Sequence, residues 1–217
     1  SPALPRGGLE VCREFGNPVG IITKGALVRR DAGLLADIAR RSSAGVFLSI
    51  PFADADMARR IEPWAPAVET RFQTLRALSE AGLRTGVALA PLVPGLNDAQ
   101  IPEILSRARE AGARTAFAIL LRRPGEARAV FEQRIAEAYP GRAEKILRAV
   151  GEMRAGHASQ AAFGARMTGT GPRWEAVQQL FDVQCRRLGF ERAPRAGSEP
   201  PSASPRRPRE RQGELFG

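Results

Sequence analysis

Histidine, cysteine and long apolar runs are scarce in this sequence. His157 is the single histidine among 217 residues, which excludes a zinc site built on two histidines and leaves few ways to form a histidine-based triad. Cys12 and Cys185 lie far apart and match no close-spaced disulfide or zinc pattern. We therefore expect reduced thiols in a cytoplasmic protein, each a small residue on a helix face rather than a reactive nucleophile.

The sequence also lacks the features of a membrane span and of a secretion signal. No run approaches the roughly 18 to 20 apolar residues that a membrane-spanning helix needs. The opening "SPALPRGG" has no basic region followed by an apolar region, so no signal peptide is predicted. It also has no initiator methionine, and the sequence leaves open whether Ser1 is a natural start.

Positive charge is the strongest bias that is present. The net charge is +10 and the isoelectric point is near 11.2. Such a charge is typical of proteins that bind an anionic partner, and DNA is the partner that we expect. The arginines are scattered rather than clustered, however, and arginine on the solvated faces of a protein from a GC-rich genome explains the same bias. Both interpretations stay open.

Four short apolar runs predict the strands of a parallel sheet. Each is nearly continuous rather than alternating, as expected for strands that are buried on both faces. They are "PVGIITK" (18–24), "GVFLSIPF" (45–52), "RTGVALAPLVPG" (84–95) and "RTAFAILLR" (114–122).

Amphipathic helical patterns alternate with these runs. They cover residues 31–42, where Asp31 is placed to cap the helix, then 68–82 and 97–112, which stop at Gly82 and Gly112. The alternation predicts an α/β fold wound in one direction, either a barrel or an open sheet. Four units make only half of an eight-stranded barrel. Either the sheet is a smaller open one, or part of the barrel is absent from this sequence.

The pattern changes after the fourth strand. Residues 126–190 predict two helices broken at Pro140-Gly141, then a glycine-rich loop and an amphipathic helix. From residue 191 onward proline, serine, arginine and glutamate dominate without an apolar period, which predicts a disordered tail. We therefore divide the chain into an α/β unit (1–125), a helical extension packed on it (126–190) and a basic tail (191–217).

Candidate binding residues collect at the carboxyl ends of the predicted strands, where α/β proteins bind ligands. One ammonium, one guanidinium and two hydroxyls occur there, without a pair of carboxylates or a pair of a nucleophile and a base. This set suits the binding of an anionic, hydroxyl-bearing ligand and leaves the reactive group to a cofactor. The candidates are Lys24, Ser49, Pro91, Pro94, Gly95 and Arg122.

Simpler roles for these residues stay open. Lys24 can be a solvated charge at a strand end, and Arg122 can pair with Glu126. Asn97 or Asp98 can cap the next helix, with Gln100 completing a capping box that starts at Asn97. In a different class of enzyme, a barrel lyase or aldolase, Lys24 would be a Schiff-base amine in a desolvated site.

A series of phrases in fixed order points to a known family. The phrases are "NPVGIITKGALVRRD", "SIPF", "RRIEPWAP", "ALSEAGLRTGVALAPLVPGLND", "ILLRRPGE", "FGARMTGTGP" and "CRRLGF". Together they resemble the C-terminal two-thirds of radical S-adenosylmethionine (SAM) proteins. The branch is the one related to spore photoproduct lyase, described as DNA-repair-photolyase-like. The resemblance covers roughly Gly8 to Phe190.

The resemblance implies a partial barrel of β-α units that is truncated at its N-terminus. In this family a 4Fe-4S cluster, held by a C-x3-C-x2-C loop, cleaves SAM to a 5′-deoxyadenosyl radical that abstracts hydrogen from a substrate. Cys12 and Cys185 cannot supply that loop. We therefore expect the cluster ligands outside this sequence, an inactive chain when it is alone, and an electron donor as a partner of the complete enzyme.

The resemblance also implies roles for single residues. Lys24 is expected to contact the methionine carboxylate of SAM, and Ser49 its ribose or amino-acid part. The segment 90–95 is expected to pack against the adenine, and Arg122 to reach polar groups beside the cofactor. A repair reaction on DNA rests on the family analogy and the positive charge alone.

The end of the tail carries a separate signal. In "RQGELFG", Gln212, Leu215 and Phe216 resemble the short motif with which bacterial DNA-maintenance proteins dock on the sliding clamp. A disordered segment can place two apolar side chains in a pocket in this manner. The alternative function is therefore a non-catalytic module that binds DNA or the sliding clamp.

Overall fold

A parallel sheet forms the centre of the protein. The computed structural model describes residues 3–121, 126–153 and 169–192. Its strands are β1 (Val19–Thr23), β2 (Ala44–Ser49), β3 (Arg84–Leu92), β4 (Thr115–Leu120) and the short β5 (Glu191–Arg192). They lie in the order β1-β2-β3-β4-β5, and each neighbouring pair is parallel.

Helices connect and flank these strands. The α-helices are α1 (Ala3–Phe15), α2 (Ala32–Arg41), α3 (Ala55–Ile61), α4 (Val68–Glu80), α5 (Ile101–Glu110), α6 (Glu126–Ala138), α7 (Ala143–Glu152) and α8 (Pro172–Arg187). Short 3-10 helices precede α2 (Ala26–Asp31) and α5 (Asp98–Gln100). Within the described ranges, none of the helices is both long enough and apolar enough to cross a membrane.

The winding of the sheet agrees with the sequence prediction. Neighbours in sequence are neighbours in the sheet from β1 to β4, without the reversal of strand order that a doubly wound fold shows. The predicted α/β class with a parallel sheet is therefore confirmed. Among the described residues the order runs from β1 to β5 without closing into a ring.

One face of the sheet packs against helices and forms the core. The strand residues on this face include the fully buried Val46, Leu48, Val87 and Leu89. Helices α2, α4 and α5 cover them with side chains of which the following are completely buried: Leu35, Ile38, Leu75, Leu78 and Ile104. Each such side chain contributes about 1.5–3 kcal/mol through its burial, so this layer supplies the main stabilisation of the fold.

The opposite face of the sheet is more open, which differs from the prediction of strands buried on both faces. Exposure alternates along β1, and Ile22 is 61% exposed. The half-buried rings of Phe47 and Phe117 lie on this face with their centroids 5.1 Å apart and their planes tilted by 55°. Gly86 lies between the strands that carry them, and a Cβ there would collide with the Phe47 ring and lie 2.6 Å from Thr115 Oγ1. Only β3, in the middle of the sheet, is buried on both faces over most of its length.

The two predicted glycine stops are confirmed. Gly82 and Gly112 follow α4 and α5 with φ values of 78° and 92°. In both turns the amide after the glycine bonds the carbonyl five residues earlier, from Leu83 to Leu78 (3.2 Å) and from Ala113 to Ala108 (2.9 Å). This is the hydrogen-bond pattern with which a left-handed residue ends a helix.

The predicted cap of α2 is wrong. The Asp31 side chain makes no capping hydrogen bond, and its Oδ1 accepts a hydrogen bond from Arg6 at 3.0 Å. The physical reason is the 3-10 helix that runs directly into α2 and already supplies a partner for the first amide of α2, since the Ala32 N–H donates to the Arg29 carbonyl.

The predicted helices of the C-terminal part are present, while most of the predicted glycine-rich loop lies outside the described residues. Helices α6 and α7 are separated at Pro140-Gly141, and α8 turns Trp174, Val177 and Phe181 inward. Strand β5 has no counterpart in the sequence prediction; it joins β4 through a 2.8 Å bond from the Glu191 amide to the Arg114 carbonyl. The first two residues assigned to the tail are thus part of the sheet, and residues 193–217 lie outside the described ranges.

Candidate functional site

The carboxyl ends of β1, β2 and β3 meet at one edge of the sheet, as the candidate binding site requires. Lys24 directly follows β1 and Ser49 ends β2. The Ser49 hydroxyl donates a 2.7 Å hydrogen bond to the Ala90 carbonyl, which joins the end of β2 to the segment 90–95. The parallel strands therefore bring three of the predicted contact regions together, although contact with a ligand stays a prediction.

Lys24 pairs with a carboxylate that is absent from the sequence-based candidates. Its Nζ lies 2.5 Å from Glu62 Oε1, and the lysine side chain is 36% exposed whereas Glu62 is mostly buried. Glu62 follows α3, a helix of seven residues that the sequence prediction does not contain. Because the ammonium of an ion pair has no free electron pair, this arrangement disfavours the Schiff-base alternative.

A buried arginine completes the cluster. Arg71 is 1% exposed, and its NH1 lies 3.0 Å from Glu62 Oε2 and donates at 3.2 Å to the Ser49 carbonyl. Its Nε donates at 2.8 Å to the Pro66 carbonyl. A buried guanidinium is stable only with such partners. Arg71 therefore ties the end of β2, the loop after α3 and helix α4 to one another.

The sequence does contain a signal for Arg71. It lies four and seven residues before Leu75 and Leu78, on the buried stripe of α4. A charged residue on the apolar stripe of an amphipathic helix predicts a buried ion pair, since isolated buried charges are too unfavourable to persist. What the sequence does not give is the partner, because Glu62 belongs to another element.

The charges of this cluster favour an anion. Glu62 is one carboxylate between two cations, Lys24 and Arg71. An additional carboxylate beside Lys24 would balance the excess positive charge, and the lysine head has three donors, of which Glu62 needs one. The ammonium is also the cation of the two that solvent reaches.

Asn97 holds the loop after β3, in a role that differs from the prediction. Its side chain is completely buried and makes no capping hydrogen bond. Its Nδ2 donates to the carbonyls of Pro51 (2.7 Å) and Pro91 (3.0 Å), and its Oδ1 accepts from the Val93 amide at 2.7 Å. Asn97 thus joins the loop after β2 to the loop after β3.

The predicted capping box is also wrong. Gln100 Oε1 accepts hydrogen bonds from the amides of Ala53 (2.7 Å) and Asp54 (3.1 Å) instead of closing on Asn97. Because a 3-10 helix intervenes before α5 begins, the side chains of Asn97 and Gln100 form hydrogen bonds with residues distant in sequence instead of capping α5. Asp98 contacts the preceding turn: its Oδ1 accepts a hydrogen bond from the Gly95 amide at 3.0 Å.

The Pro94-Gly95 turn is fixed from both sides. Gly95 has φ +77°, and no atom lies within 4 Å of where its Cβ would be. Its carbonyl accepts a 2.6 Å hydrogen bond from Arg142 at the start of α7. Pro94 is buried, whereas Pro91 and Gly95 are half-buried, so the part of this firmly held backbone that a flat ligand could reach lies at Pro91 and Gly95, with open space beside the glycine.

Arg122, the tail residues and the two cysteines are the remaining candidates. Arg122 and the tail residues Gln212, Leu215 and Phe216 lie outside the described residues. Cys185 lies on α8, where burial, with a smaller effect of Asp182, raises the pKa of its thiol to about 12. Cys12 lies on α1. Within the described part of the chain, no group of three metal-ligating side chains comes together.

A cavity opens beside Lys24. It has a volume of about 920 Å³ and lies between the end of β1, the loop after α3 and helix α6. Trp64 on that loop is 95% exposed. The sequence signal for it is a tryptophan between two prolines, in the phrase "EPWAP". Its lining includes Lys24, Glu62, Trp64, Val130, Phe131 and Arg134.

Comparison with known proteins gives relatives without an assigned activity. No family model matches the chain. An uncharacterized protein of Mycobacterium tuberculosis is 33% identical over 142 residues, which are 64% of this chain and 41% of the relative. An uncharacterized protein of Methanocaldococcus jannaschii is 33% identical over 82 residues (38% of this chain, 30% of the relative). The chain thus matches less than half the length of these relatives.

Proposed function

We propose that this chain is the SAM-binding C-terminal part of a radical SAM enzyme that acts on nucleic acid. The single observation that carries the proposal is the convergence of Lys24, Ser49 and the segment 90–95 at one edge of a parallel sheet. These are the positions that the resemblance to the spore photoproduct lyase branch assigns to the cofactor. Parallel strands wound in one direction, as observed, are also what a partial barrel requires.

The ion cluster suits the amino-acid end of SAM. That end is a zwitterion, with one carboxylate and one ammonium on the same carbon. Lys24 offers donors for the carboxylate and Glu62 offers an acceptor for the ammonium, with Nζ and Oε1 only 2.5 Å apart. Arg71 keeps Glu62 in place through its second oxygen. The pair therefore offers a partner to each of the two charges at this end of the ligand.

The neighbouring segment suits the nucleoside end. Ser49 uses its hydrogen on the Ala90 carbonyl, so its oxygen is left to accept a hydrogen bond from a ribose hydroxyl. The backbone from Pro91 to Gly95 is fixed by Asn97 and Arg142, which lowers the entropy cost of packing an adenine against it. Binding and orientation of the cofactor are the tasks assigned to these residues.

The iron–sulfur cluster does not fit the described residues. When bound beside SAM, such a cluster supplies the electron that converts SAM into a hydrogen-abstracting radical. Cys12 and Cys185 lie on different helices, and two cysteines are fewer than the three that the cluster loop of this family contains. The proposal therefore assigns the cluster to sequence outside these 217 residues.

The first experiment is mass spectrometry of the N-terminal peptide of the native protein. We expect a sequence that continues upstream through a C-x3-C-x2-C loop. The complete protein, reconstituted without oxygen, should then release 5′-deoxyadenosine from SAM after reduction. A native chain that starts near Ser1 would contradict the enzyme proposal and leave a binding module.

Lys24→Ala tests the site itself in that protein. We expect SAM affinity to fall by roughly 10- to 100-fold, as for the loss of a charged hydrogen bond. Lys145→Ala is the matched control, because Lys145 is the only other lysine and is exposed on α7. Equal SAM affinity of the two variants would remove Lys24 from the proposed site.

The second candidate function is a DNA- or clamp-binding module, and the tail motif together with the charge of +10 favours it. Immobilised sliding clamp should retain the chain, and replacing Leu215 and Phe216 by alanine should abolish that retention. Gln133→Ala on α6 serves as a control outside the motif. Retention that is unchanged in the doubly substituted tail would end this candidate.

A further inference from the structure

Trp64 is exposed to a degree that is unusual for a tryptophan. It is 95% exposed, whereas Trp174, the other tryptophan of the chain, is 4% exposed. Val130 on α6 faces the same cavity and is also exposed. Tryptophan buries more apolar surface than any other side chain when it finds a partner, so an indole left in solvent beside a cavity is typical of a binding surface.

The loop that carries Trp64 is held rigidly. The Ala65 amide donates at 3.1 Å to the Glu62 carbonyl, which closes a turn with Pro63 and Trp64 at its centre. Proline is the residue that best fits the first of these two central positions. At the far end of the loop, the buried Arg71 binds the Pro66 carbonyl at 2.8 Å. The indole therefore stands on a backbone that is ordered before any ligand arrives, which lowers the entropy cost of binding.

The opposite wall of the cavity adds apolar surface and a cation. Phe131 and Val130 line it from α6, and Arg134 follows one turn later. Arg134 is 42% exposed and only weakly paired, at 3.8 Å from Glu137. The volume of about 920 Å³ accommodates a nucleotide, since sites for ligands of that size range from about 300 to 1,000 Å³.

The charges around the cavity balance in favour of an anion. Glu62 lies between the two cations Lys24 and Arg71, and Arg134 is only loosely paired with Glu137, at 3.8 Å. One of the two cations that flank Glu62 therefore remains in excess, in a chain whose net charge is +10. A nucleotide is a ligand that combines a flat ring with a negative charge.

We infer that Trp64, with Phe131 and Arg134, forms a stacking subsite for an unpaired base of single-stranded nucleic acid. The base stacks on the indole, and Arg134 contacts the adjoining phosphate. Aromatic side chains beside cations are the means by which proteins bind single strands without reading their sequence. The bases of a duplex are paired and covered, so a duplex cannot use this subsite. The inference rests on the nucleic-acid part of the proposed function and not on the cofactor.

The test is fluorescence anisotropy with labelled single-stranded oligothymidine and the intact chain. We expect Trp64→Ala to weaken binding by roughly 5- to 100-fold, the range found when a stacking aromatic is removed. Trp64→Phe keeps a ring and should retain most of the affinity. Circular dichroism of both variants should be unchanged, because the exposed indole contributes little to the fold.

Arg134→Ala probes the phosphate contact, with Arg173→Ala as its matched control. Arg173 is 45% exposed and lies 4.0 Å from Glu152, so it resembles Arg134 in exposure and pairing but lies on α8. Only Arg134→Ala should lower affinity and flatten the dependence on salt by about one counterion. Equal effects of the two variants would indicate general attraction to the charged chain and overturn the inference.

Three further outcomes would overturn it as well. In the first, the intact chain does not bind oligothymidine. In the second, a duplex of the same sequence binds as tightly and is equally weakened by Trp64→Ala. In the third, the Trp64→Ala variant binds oligothymidine as tightly as the intact chain does. SAM affinity separates this inference from the proposed function. Trp64→Ala should leave SAM affinity unchanged, whereas Lys24→Ala should lower it. Loss of SAM affinity in Trp64→Ala would place the indole in the cofactor site instead.

Discussion

The two ends of the strands are built in different ways. At the amino ends of β3 and β4 the chain uses one turn twice, with Gly82 and Gly112 in left-handed conformations. At the carboxyl ends each connection is different, and the buried polar side chains Arg71 and Asn97 hold the loops. The amino ends therefore share one stabilising turn, whereas each loop at the carboxyl ends is held by its own side-chain contacts.

The range of the hydrogen bonds differs in the same way. At the amino ends the backbone bonds that close both turns are local, three to five residues apart along the chain, and only the Gly112 turn adds long-range side-chain bonds among the described residues, from Ser79 and Thr85 to its carbonyl. At the carboxyl ends Asn97 reaches Pro51 and Gln100 reaches Ala53, across separations of 46 and 47 residues. The carboxyl ends thus depend on the assembled fold, and the substitutions that follow should affect the two ends unequally.

Arg71→Met should have the largest effect. It leaves Glu62 partly buried with Lys24 alone and removes the bonds to the Ser49 and Pro66 carbonyls. We expect the free energy of unfolding to fall by about 3–5 kcal/mol, measured by urea denaturation. Arg76→Met, on the exposed side of the same helix, should change it by less than about 0.5 kcal/mol.

A second variant separates the ion pair from the packing. Adding Glu62→Gln to Arg71→Met removes the uncompensated charge, so the double variant should recover part of the stability. A double variant that is no more stable than Arg71→Met alone would show that the lost hydrogen bonds to the Ser49 and Pro66 carbonyls, and not the uncompensated charge, account for the loss.

Asn97→Ala should have the next largest effect on the free energy of unfolding. It leaves the Val93 amide and two carbonyls without their partner in a buried place. The expected loss is about 2–3 kcal/mol in the free energy of unfolding. Asn17→Ala, at a half-buried position before β1, is the control and should be much milder. Similar losses for both would argue against a special role of the loop after β3.

The paired glycines test whether the two amino-end turns are equivalent. Gly82→Ala meets no neighbouring atom, so only the left-handed backbone opposes it, at about 1 kcal/mol. Gly112→Ala adds a collision with the Ser79 side chain, whose Cβ would lie 2.7 Å away, and should lose about 2 kcal/mol. Thermal unfolding of the two variants should therefore differ, and equal midpoints would show that Ser79 moves aside freely.

Cys185 should give the smallest effect, a chemical one. Its pKa of about 12 means that the folded protein holds the thiol proton more tightly than the unfolded chain does. Alkylation by iodoacetamide at pH 8 should be slower in the native protein than in urea, by roughly two to three orders of magnitude. The stability linked to this proton is present below the pKa of the unfolded thiol and is lost as the pH rises toward 12. Peptide mass spectrometry after timed labelling measures the ratio, and equal rates would mean that the thiol is solvated.

The sequence predicted what depends on local pattern. The four main strands, the helices with an apolar stripe and the stops at Gly82 and Gly112 were readable because each signal lies within one element. Strand β5 and helix α3 have two and seven residues, which is too short for a period to appear. The partner of Lys24 and the bonds of Asn97 were not predictable, because they join residues that only the fold brings together.

Glu62 contacts both of the proposed binding regions. One of its carboxylate oxygens faces Lys24, the other faces Arg71, and its backbone carbonyl closes the turn that carries Trp64. A ligand that draws Lys24 away changes the forces on the same residue that shapes the indole platform. By thermodynamic reciprocity, whatever occupancy at Lys24 does to affinity at Trp64, occupancy at Trp64 does to affinity at Lys24. Through this one shared carboxylate, the two proposed sites can be thermodynamically coupled.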